Sequence, residues 1–326
     1  MSEDKKTIGF YWCASCGGCE ISVLDIDEMI LDVVEKADIK FWPCAMDPKY
    51  DDVRAMNDDE FDFIFINGSI RSEENEEMVK LLRKKAKNVV AYGSCSSIGG
   101  LFGLGNLHSS QELLDKGYNT RSTDEGPMPK KVSKVEEGEL ELPELTLHVT
   151  PLEDVIEVDY YIPGCPPLPV QLEEAFPALL DDDTEVGKYD FISEKSVCDE
   201  CPMEREEKNI ERLIPIQEKM DIDPVECLLD QGVLCMGPAS AGMCEAACPS
   251  VGHPCIGCNG PTREVADQGG RMASALASVI AIEGEERKTE EDIRDAMESV
   301  RDPTGSFYRF SLPTSILRYK RGDTDE

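Results

Sequence analysis

The sequence has 326 residues, of which 14 are cysteine, and a formal net charge of −34 at pH 7. It has no apolar stretch near the ~18–20 residues that a bilayer-spanning helix requires, which argues against a membrane span. Phosphate binding requires clustered Lys and Arg, so we expect no nucleic-acid partner. The acidity fits either a solvated surface or docking to basic patches on partner subunits, and composition does not separate the two.

Cysteine content and the N-terminal sequence together suggest a compartment. The first residues, MSEDKKTIGFYW, contain neither an apolar signal core nor twin arginines, so we expect a cytoplasmic protein. Cytoplasmic thiols stay reduced, which argues against a disulfide framework. The cysteines therefore indicate metal or redox ligands, with a minority buried as apolar side chains.

Strands and helices alternate over residues 1–190. In chain order the predicted elements are the strand KTIGFYW, a helix in EISVLDIDEMILDVVEKA, the strands DIKFWPCAMD and FDFIFINGSI, the helix SEENEEMVKLLRKKA capped by Ser72, the strands NVVAYGS and VDYYIPG, and a helix after PGCPP. This order predicts an α/β fold, with a flavodoxin-like doubly wound parallel sheet. Residues 119–147 have mixed charge and few large apolar side chains, and we predict a surface insertion with one short hairpin.

The pattern changes near residue 190, and we predict a second, mostly irregular domain over residues 191–326. Helices are expected there near 205–220 and 263–282. Eight cysteines fall within about sixty residues, separated by Gly, Pro and small side chains. Such a segment has little material for a hydrophobic core, so inorganic centres are expected to hold it together.

Four cysteines of the first domain lie just past the carboxyl ends of predicted strands. They are Cys16, Cys19, Cys95 and Cys165. Ligands of open α/β sheets bind in the crevice outside these ends, so we expect three loops to bring four thiols to one rim. Cys13 and Cys44 are instead predicted to be small, half-buried side chains. For Glu20, which follows Cys19, a solvated or capping carboxylate is at least as well supported as a proton-relay or partner-facing role.

The eight later cysteines suffice for two further four-thiol sites. Sequence order suggests one set of Cys198, Cys201, Cys227 and Cys235 and another of Cys244, Cys248, Cys255 and Cys258. Four thiolates bind either zinc or an iron–sulfur cube. Irregular spacing, abundant glycine and a proline directly after Cys165, Cys201 and Cys248 favour clusters. A zinc-stapled scaffold without redox activity remains the alternative, whereas a nucleotide-binding enzyme is disfavoured because CGGCE does not match G-x-G-x-x-G.

Several motifs jointly resemble the small subunits of nickel–iron hydrogenases. These are CGGCEIS, YGSCSSIGG, PGCPP, the run ECLLDQGVLCMGPASAGMCEAACPSVGHPCIGCNGP and the tail DPTGSFYRFSLP. The resemblance covers nearly the whole chain and is strongest to the cytoplasmic methyl-viologen-reducing (deazaflavin-non-reducing) type associated with heterodisulfide reductase. It implies three [4Fe-4S] clusters: a proximal one on the first four thiols, and a medial and a distal one on the later eight. Cys198 stands where the exported branch uses a histidine for its distal cluster, and four medial cysteines imply a cube.

The resemblance also implies a function. The nickel site of this family belongs to a partner large subunit, so this chain would relay electrons from H2 oxidation through its clusters. The implied acceptor is a ferredoxin-like subunit, followed by a flavin-based, electron-bifurcating heterodisulfide reductase. The small subunit of a sulfhydrogenase or of a deazaflavin-reducing hydrogenase would use almost the same relay with another acceptor.

Overall fold

The computed structural model describes residues 5–121, 128–205, 210–280, 282–283, 286–287 and 289–318. The strands are β1 (Lys6–Trp12), β2 (Ala37–Phe41), β3 (Phe61–Asn67), β4 (Ile70–Ser72), β5 (Ala86–Tyr92), β6 (Val132–Val135), β7 (Gly138–Glu141), β8 (Leu145–Thr150), β9 (Tyr160–Ile162), β10 (Ile282–Glu283) and β11 (Glu286–Arg287). The helices are α1 (Gly18–Ser22), α2 (Met29–Lys36), α3 (Tyr50–Ala55), α4 (Glu73–Lys85), α5 (Ser94–Ile98), α6 (Ser110–Tyr118), α7 (Pro169–Leu180), α8 (Gln268–Ile280), α9 (Glu290–Glu298) and α10 (Pro303–Phe307).

Five of the strands form one parallel sheet in the order β2-β1-β3-β5-β9. Counted along the chain, these are the second, first, third, fourth and fifth strands of the sheet. That is the flavodoxin-like order, in which the direction of winding reverses beside the first strand. The predicted α/β fold with a doubly wound parallel sheet is therefore confirmed.

Side-chain alternation along the central strand divides the core into two layers. Phe63 and Phe65 point to one face, which α2 and α7 cover, whereas Ile64 and Ile66 point to the other, which α3 and α4 cover. All four side chains are buried, as expected for a parallel strand with helices on both faces. This packing holds the carboxyl ends of the strands, and the loops that follow them, at one rigid edge.

Three predicted elements differ from the structure. The helix expected in residues 20–37 is interrupted: α1 ends at Ser22 and α2 begins at Met29, with Asp27 at a positive φ of 50° between them. In the described part of the segment near 205–220, no α-helix forms, and a single 3-10 turn follows Pro215. The helix expected at 263–282 is confirmed in a shorter form as α8.

The surface insertion contains the predicted hairpin, in which β6 and β7 pair antiparallel. Residues 122–127 of the insertion lie outside the described residues. The hairpin is exposed on both strands.

A third apolar cluster lies in the cysteine-rich part of the chain. It is built around Met272, Leu276 and Ile280 of α8, and Cys235 and Cys255 belong to it. The buried residues of the two sheet-face clusters end in sequence at Phe191 and those of the third begin at Val197, although Leu104 and Leu107 also pack against the third cluster. Within the residues that the structure describes, none of the helices has the length and apolar run that crossing a bilayer requires.

Candidate metal centres

The four rim cysteines come together at the carboxyl edge of the sheet. Cys16 and Cys19 follow β1, Cys95 lies in α5, which follows β5, and Cys165 follows β9. Burial raises the pKa of the Cys19 thiol, and Cys95, Cys165 and Cys16 raise it further in that order. Burial, followed by Cys165 and Cys16, raises the pKa of Cys95 to about 12. The structure thus brings all four predicted thiols into one group, which we call the rim group.

Backbone without side chains surrounds this group. Gly93 has a φ of 86°, and a Cβ there would collide with the Cys19 sulfur. Gly100 has a φ of 60°, and a Cβ there would collide with the Cys95 sulfur. The Gly18 N–H donates to Cys16 Sγ at 3.4 Å. Space and N–H donors beside thiolates are what an inorganic sulfur-ligated group requires.

A second group forms from the last four cysteines, Cys244, Cys248, Cys255 and Cys258. Burial raises the pKa of Cys258 to about 12, with Cys165, Cys244 and Cys248 as the next causes. The pKa of Cys255 lies well above its usual value, because of burial, then Cys235 and Cys258. We call these four thiols the middle group.

The third group lines a small cavity of about 40 Å³. Its four thiols, which we call the outer group, are Cys198, Cys201, Cys227 and Cys235. Burial raises the pKa of Cys198 to about 12, with Cys235, Cys227 and Cys201 following as causes. Gly237 leaves space beside Cys198, because a Cβ at position 237 would lie only 3.0 Å from Cys198 Sγ.

Electrostatic contacts between neighbouring thiols connect the three groups in series. After burial, Cys165 of the rim group is the next cause of the raised pKa of Cys258 in the middle group. After burial, Cys235 of the outer group is the next cause of the raised pKa of Cys255 in the middle group. The order in space is therefore rim, middle, outer, which differs from the order of the two later groups along the sequence.

Each group has four thiols, which is the ligand count of either a structural zinc ion or an iron–sulfur cube. Within the described ranges, no three His, Cys, Asp or Glu side chains form a group that could hold one metal ion.

Cys13 and Cys44 stand apart from the three groups. Cys13 is 6% exposed, and its pKa is raised by burial and then by Glu74, without a thiol among the causes. The expectation of a half-buried side chain was wrong for Cys44, which is exposed because it lies past the end of β2, in the turn after Phe41.

The sequence interpretation missed the environment of Glu20. Its side chain is buried at 6% exposure, whereas a solvated carboxylate was at least as well supported by the sequence. Trp42 Nε1 and Cys44 Sγ donate to one carboxylate oxygen, the latter at 3.1 Å. Asn67 Nδ2 donates to the other at 2.5 Å. The three donors come from loops and strands distant in sequence, so local pattern carried no signal for them.

Comparison with known proteins gives consistent matches over the whole chain. Residues 16–179 match the family described as NADH ubiquinone oxidoreductase, 20 Kd subunit. The chain is 36% identical over 323 residues to a subunit of the F420-non-reducing hydrogenase of Methanothermobacter thermautotrophicus, covering 97% of each chain. It is 36% identical over 329 residues to the iron-sulfur subunit of the F420-non-reducing hydrogenase of Archaeoglobus profundus, covering 96% of this chain and 98% of that one. A chain in the crystal structure of an NAD+-reducing [NiFe]-hydrogenase is 31% identical, with a TM-score of 0.46 over 54% of this chain and 91% of that chain.

Proposed function

We propose a specific role for this chain, which belongs to the family of F420-non-reducing hydrogenase iron–sulfur subunits and is the small subunit of a nickel–iron hydrogenase. It relays electrons released by H2 oxidation on the large subunit, through three [4Fe-4S] clusters, to a ferredoxin-like subunit and onward to heterodisulfide reductase. We place the complex in the cytoplasm.

The observation that carries this proposal is the series of three four-thiol groups. In the proposal the rim group holds the proximal cluster, the middle group the medial one and the outer group the distal one. Bound clusters of this kind supply one-electron transfer at potentials set by charge, hydrogen bonds and burial. The chain's part is to hold twelve thiols in series with apolar packing and glycine-lined backbone, so that nine of them are buried or half-buried.

The two ends of the series support the assignment of partners. Large apolar side chains flank the rim group: Trp12, Ile21, Leu101 and Phe102 are 41% to 59% exposed. Such a patch beside the first thiols fits the docking face for the large subunit. At the other end, the outer group lines a surface cavity next to Arg205, which fits the exit toward an electron-accepting subunit.

The electron acceptor and the metal content distinguish this proposal from the alternative functions. A sulfhydrogenase or a deazaflavin-reducing hydrogenase would share the thiol series and differ in the acceptor that co-purifies and is reduced. A zinc-stapled scaffold would be colourless and would lack acid-labile sulfide.

The test is anaerobic analysis of the purified complex for iron, acid-labile sulfide and zinc per chain, with electron paramagnetic resonance after dithionite reduction. We expect about twelve irons and interacting signals of reduced cubes, as twelve thiolates in three four-ligand sites imply. About eleven irons with an oxidised three-iron signal would keep the relay and contradict the medial cube. Zinc with little iron and no reduced signal would contradict the relay itself.

A further inference from the structure

Glu20 is a buried carboxylate directly beside the rim group. It follows Cys19 in α1 and is 6% exposed. Burying a carboxylate is unfavourable unless donors replace the lost water. Here three donors do so: the Trp42 indole N–H, the Cys44 thiol and the Asn67 amide.

The hydrogen bonds to the Glu20 carboxylate indicate its charge. Both oxygens of Glu20 accept, one from Asn67 and the other from Trp42 and Cys44. A carboxylate that only accepts is the ionised form, since a protonated one would donate from one oxygen. Among the described residues, no Lys, Arg or His forms an ion pair with Glu20, so its negative charge is stabilised by dipoles and not cancelled by a cation.

The chain itself places Glu20 beside the rim thiols. Glu20 follows Cys19 directly in α1, and its carboxylate is held inside the fold by Trp42, just after β2, and by Asn67, at the end of β3. At a buried site two charges interact more strongly than they do at the surface.

We propose that Glu20 is a fixed negative charge that lowers the reduction potential of the group held by Cys16, Cys19, Cys95 and Cys165. This inference rests on the proposed function, in which that group accepts one electron originating from H2. The electron adds one negative charge to the group, and no bond is formed or broken at Glu20. A neighbouring carboxylate disfavours the added charge, so the reduced form is less stable and the electron is passed on more readily.

A purely structural role predicts something different. Glu20 also connects the loop after β1 to the loop after β2 and to the end of β3, so it could serve only to hold these segments together. That role would affect folding or cluster content without a directed change in potential. The reduction potential therefore distinguishes the two roles.

Glu20→Gln removes the charge and keeps the shape. Asn67 Oδ1 is buried and has no hydrogen-bond partner within the described chain. Rotation of the Asn67 amide would let this oxygen accept from the new Gln amide, at the cost of the bond from Asn67 Nδ2 to the Tyr11 carbonyl. Trp42 and Cys44 can still donate to the remaining Gln oxygen. The substitution is thus accommodated by local rearrangement.

The experiment is a redox titration, monitored by electron paramagnetic resonance, of the purified hydrogenase complex. Wild type is compared with Glu20→Gln, with Glu20→Asp as the variant that restores the charge, and with Asp25→Asn as the control. Asp25 is an exposed carboxylate five residues further along, where solvent screens its charge. A fourth variant, Trp42→Phe, removes one donor and keeps an aromatic ring against Phe10, whose centroid lies 4.7 Å away. The rim-group signal is identified as the one that Cys19→Ser alters.

We expect Glu20→Gln to shift the reduction equilibrium of that one centre about tenfold or more toward the reduced form, an upward shift of about 59 mV for one electron. Asp25→Asn and Glu20→Asp should stay near wild type, and Trp42→Phe should shift downward because the carboxylate is less well neutralised. An intact signal at the wild-type potential in Glu20→Gln overturns the inference. If Glu20→Gln assembles no centre at the rim group, the Trp42→Phe variant provides the test. A rim-group potential in Trp42→Phe that is unshifted or shifted upward overturns the inference.

The wild-type sample separates this inference from the function on which it rests. Wild type without a reducible centre at the rim thiols contradicts the proposed function and this inference with it. A normal wild-type titration with unshifted variants contradicts only the role of Glu20.

Discussion

At the scale of single residues, Gly93 shows how closely backbone approaches the rim group. Its φ of 86° and ψ of 162° lie in a region that L-residues rarely adopt, and its N–H is fixed by a 2.8 Å bond to the Ile162 carbonyl. A Cβ at this position would collide with the Cys19 sulfur, and a backbone bonded in this way has little room to shift.

We therefore expect Gly93→Ala to lose the centre of the rim group, leaving about eight of about twelve irons per complex. Gly117→Ala is the matched control, because a Cβ there meets nothing within 4 Å in an exposed helical position. That variant should keep its iron and gain roughly 0.5–1 kcal/mol of stability. Iron analysis and thermal unfolding under argon measure both effects, and a full iron content in Gly93→Ala would contradict the assignment of Cys19.

Residue patterns in the sequence predicted the convergence of the rim thiols but not the surroundings of Glu20. Cys16, Cys95 and Cys165 each follow a strand, and parallel strands bring their carboxyl ends to one edge, so chain position determines the meeting point. The donors to Glu20 depend on side-chain directions in three separate segments. Periodicity along one segment contains no information about them.

At the scale of elements, α8 and α10 pack through a contact between small and large side chains. Gly269 of α8 lies against the Tyr308 ring, and a Cβ at Gly269 would collide with it. The pKa of Tyr308 is raised to about 12 by burial and by its hydrogen bond to Asp267. The phenol therefore links the end of α10 to the beginning of α8.

This contact predicts a specific pH dependence. The pKa of a tyrosine in an unfolded chain is about 10. Because the folded value is higher, the stabilisation is fully present below pH 10 and is lost as the pH rises toward 12. Tyr308→Phe should be less stable than wild type at pH 8, and its unfolding temperature should fall less between pH 8 and pH 11.

Thermal unfolding at both pH values checks this, with Tyr118→Phe as the control. Tyr118 is 47% exposed at the end of α6, and its removal should leave the wild-type pH profile unchanged. The buried tyrosines of the sheet domain titrate equally in all three proteins and cancel in the comparison. Equal losses in wild type and Tyr308→Phe would show that the Asp267 contact does not contribute.

Predicted elements were most accurate where strong periodicity coincided with end signals. The helix α4 begins after Ser72, whose hydroxyl accepts from the Asn75 N–H, and it ends in basic residues, as the sequence indicates. The break between α1 and α2 is different. Apolar spacing continues through residues 23–28, but the backbone there turns to bonds between residues three apart, such as Leu24 N–H to Ile21 C=O, and Asp27 has a positive φ.

At the scale of the whole molecule, the two parts of the chain are stabilised by different means. The sheet is covered on both faces by large apolar side chains, including Phe65, Phe176 and Met78, which are at most 1% exposed. The cysteine-rich part has one apolar cluster, short 3-10 turns between its thiols and three described α-helices. We infer that the first part folds on hydrophobic burial, whereas the second depends on its inorganic centres.

Removal of iron should therefore affect the two parts unequally. After anaerobic chelation of the purified chain, we expect residues 227–258 to lose amide protection, because the six thiols of this segment that belong to the middle and outer groups are no longer held together by bound metal. Amides of β1, β3 and β5 should remain protected, since their hydrogen bonds lie inside a sheet with two apolar faces. Hydrogen–deuterium exchange with mass spectrometry measures each segment, and an unchelated sample carried through the same steps is the control. Equal loss of protection in both parts would show one cooperative unit and contradict a boundary near residue 190, whereas retained protection over 227–258 would show that the cysteine-rich part folds without metal.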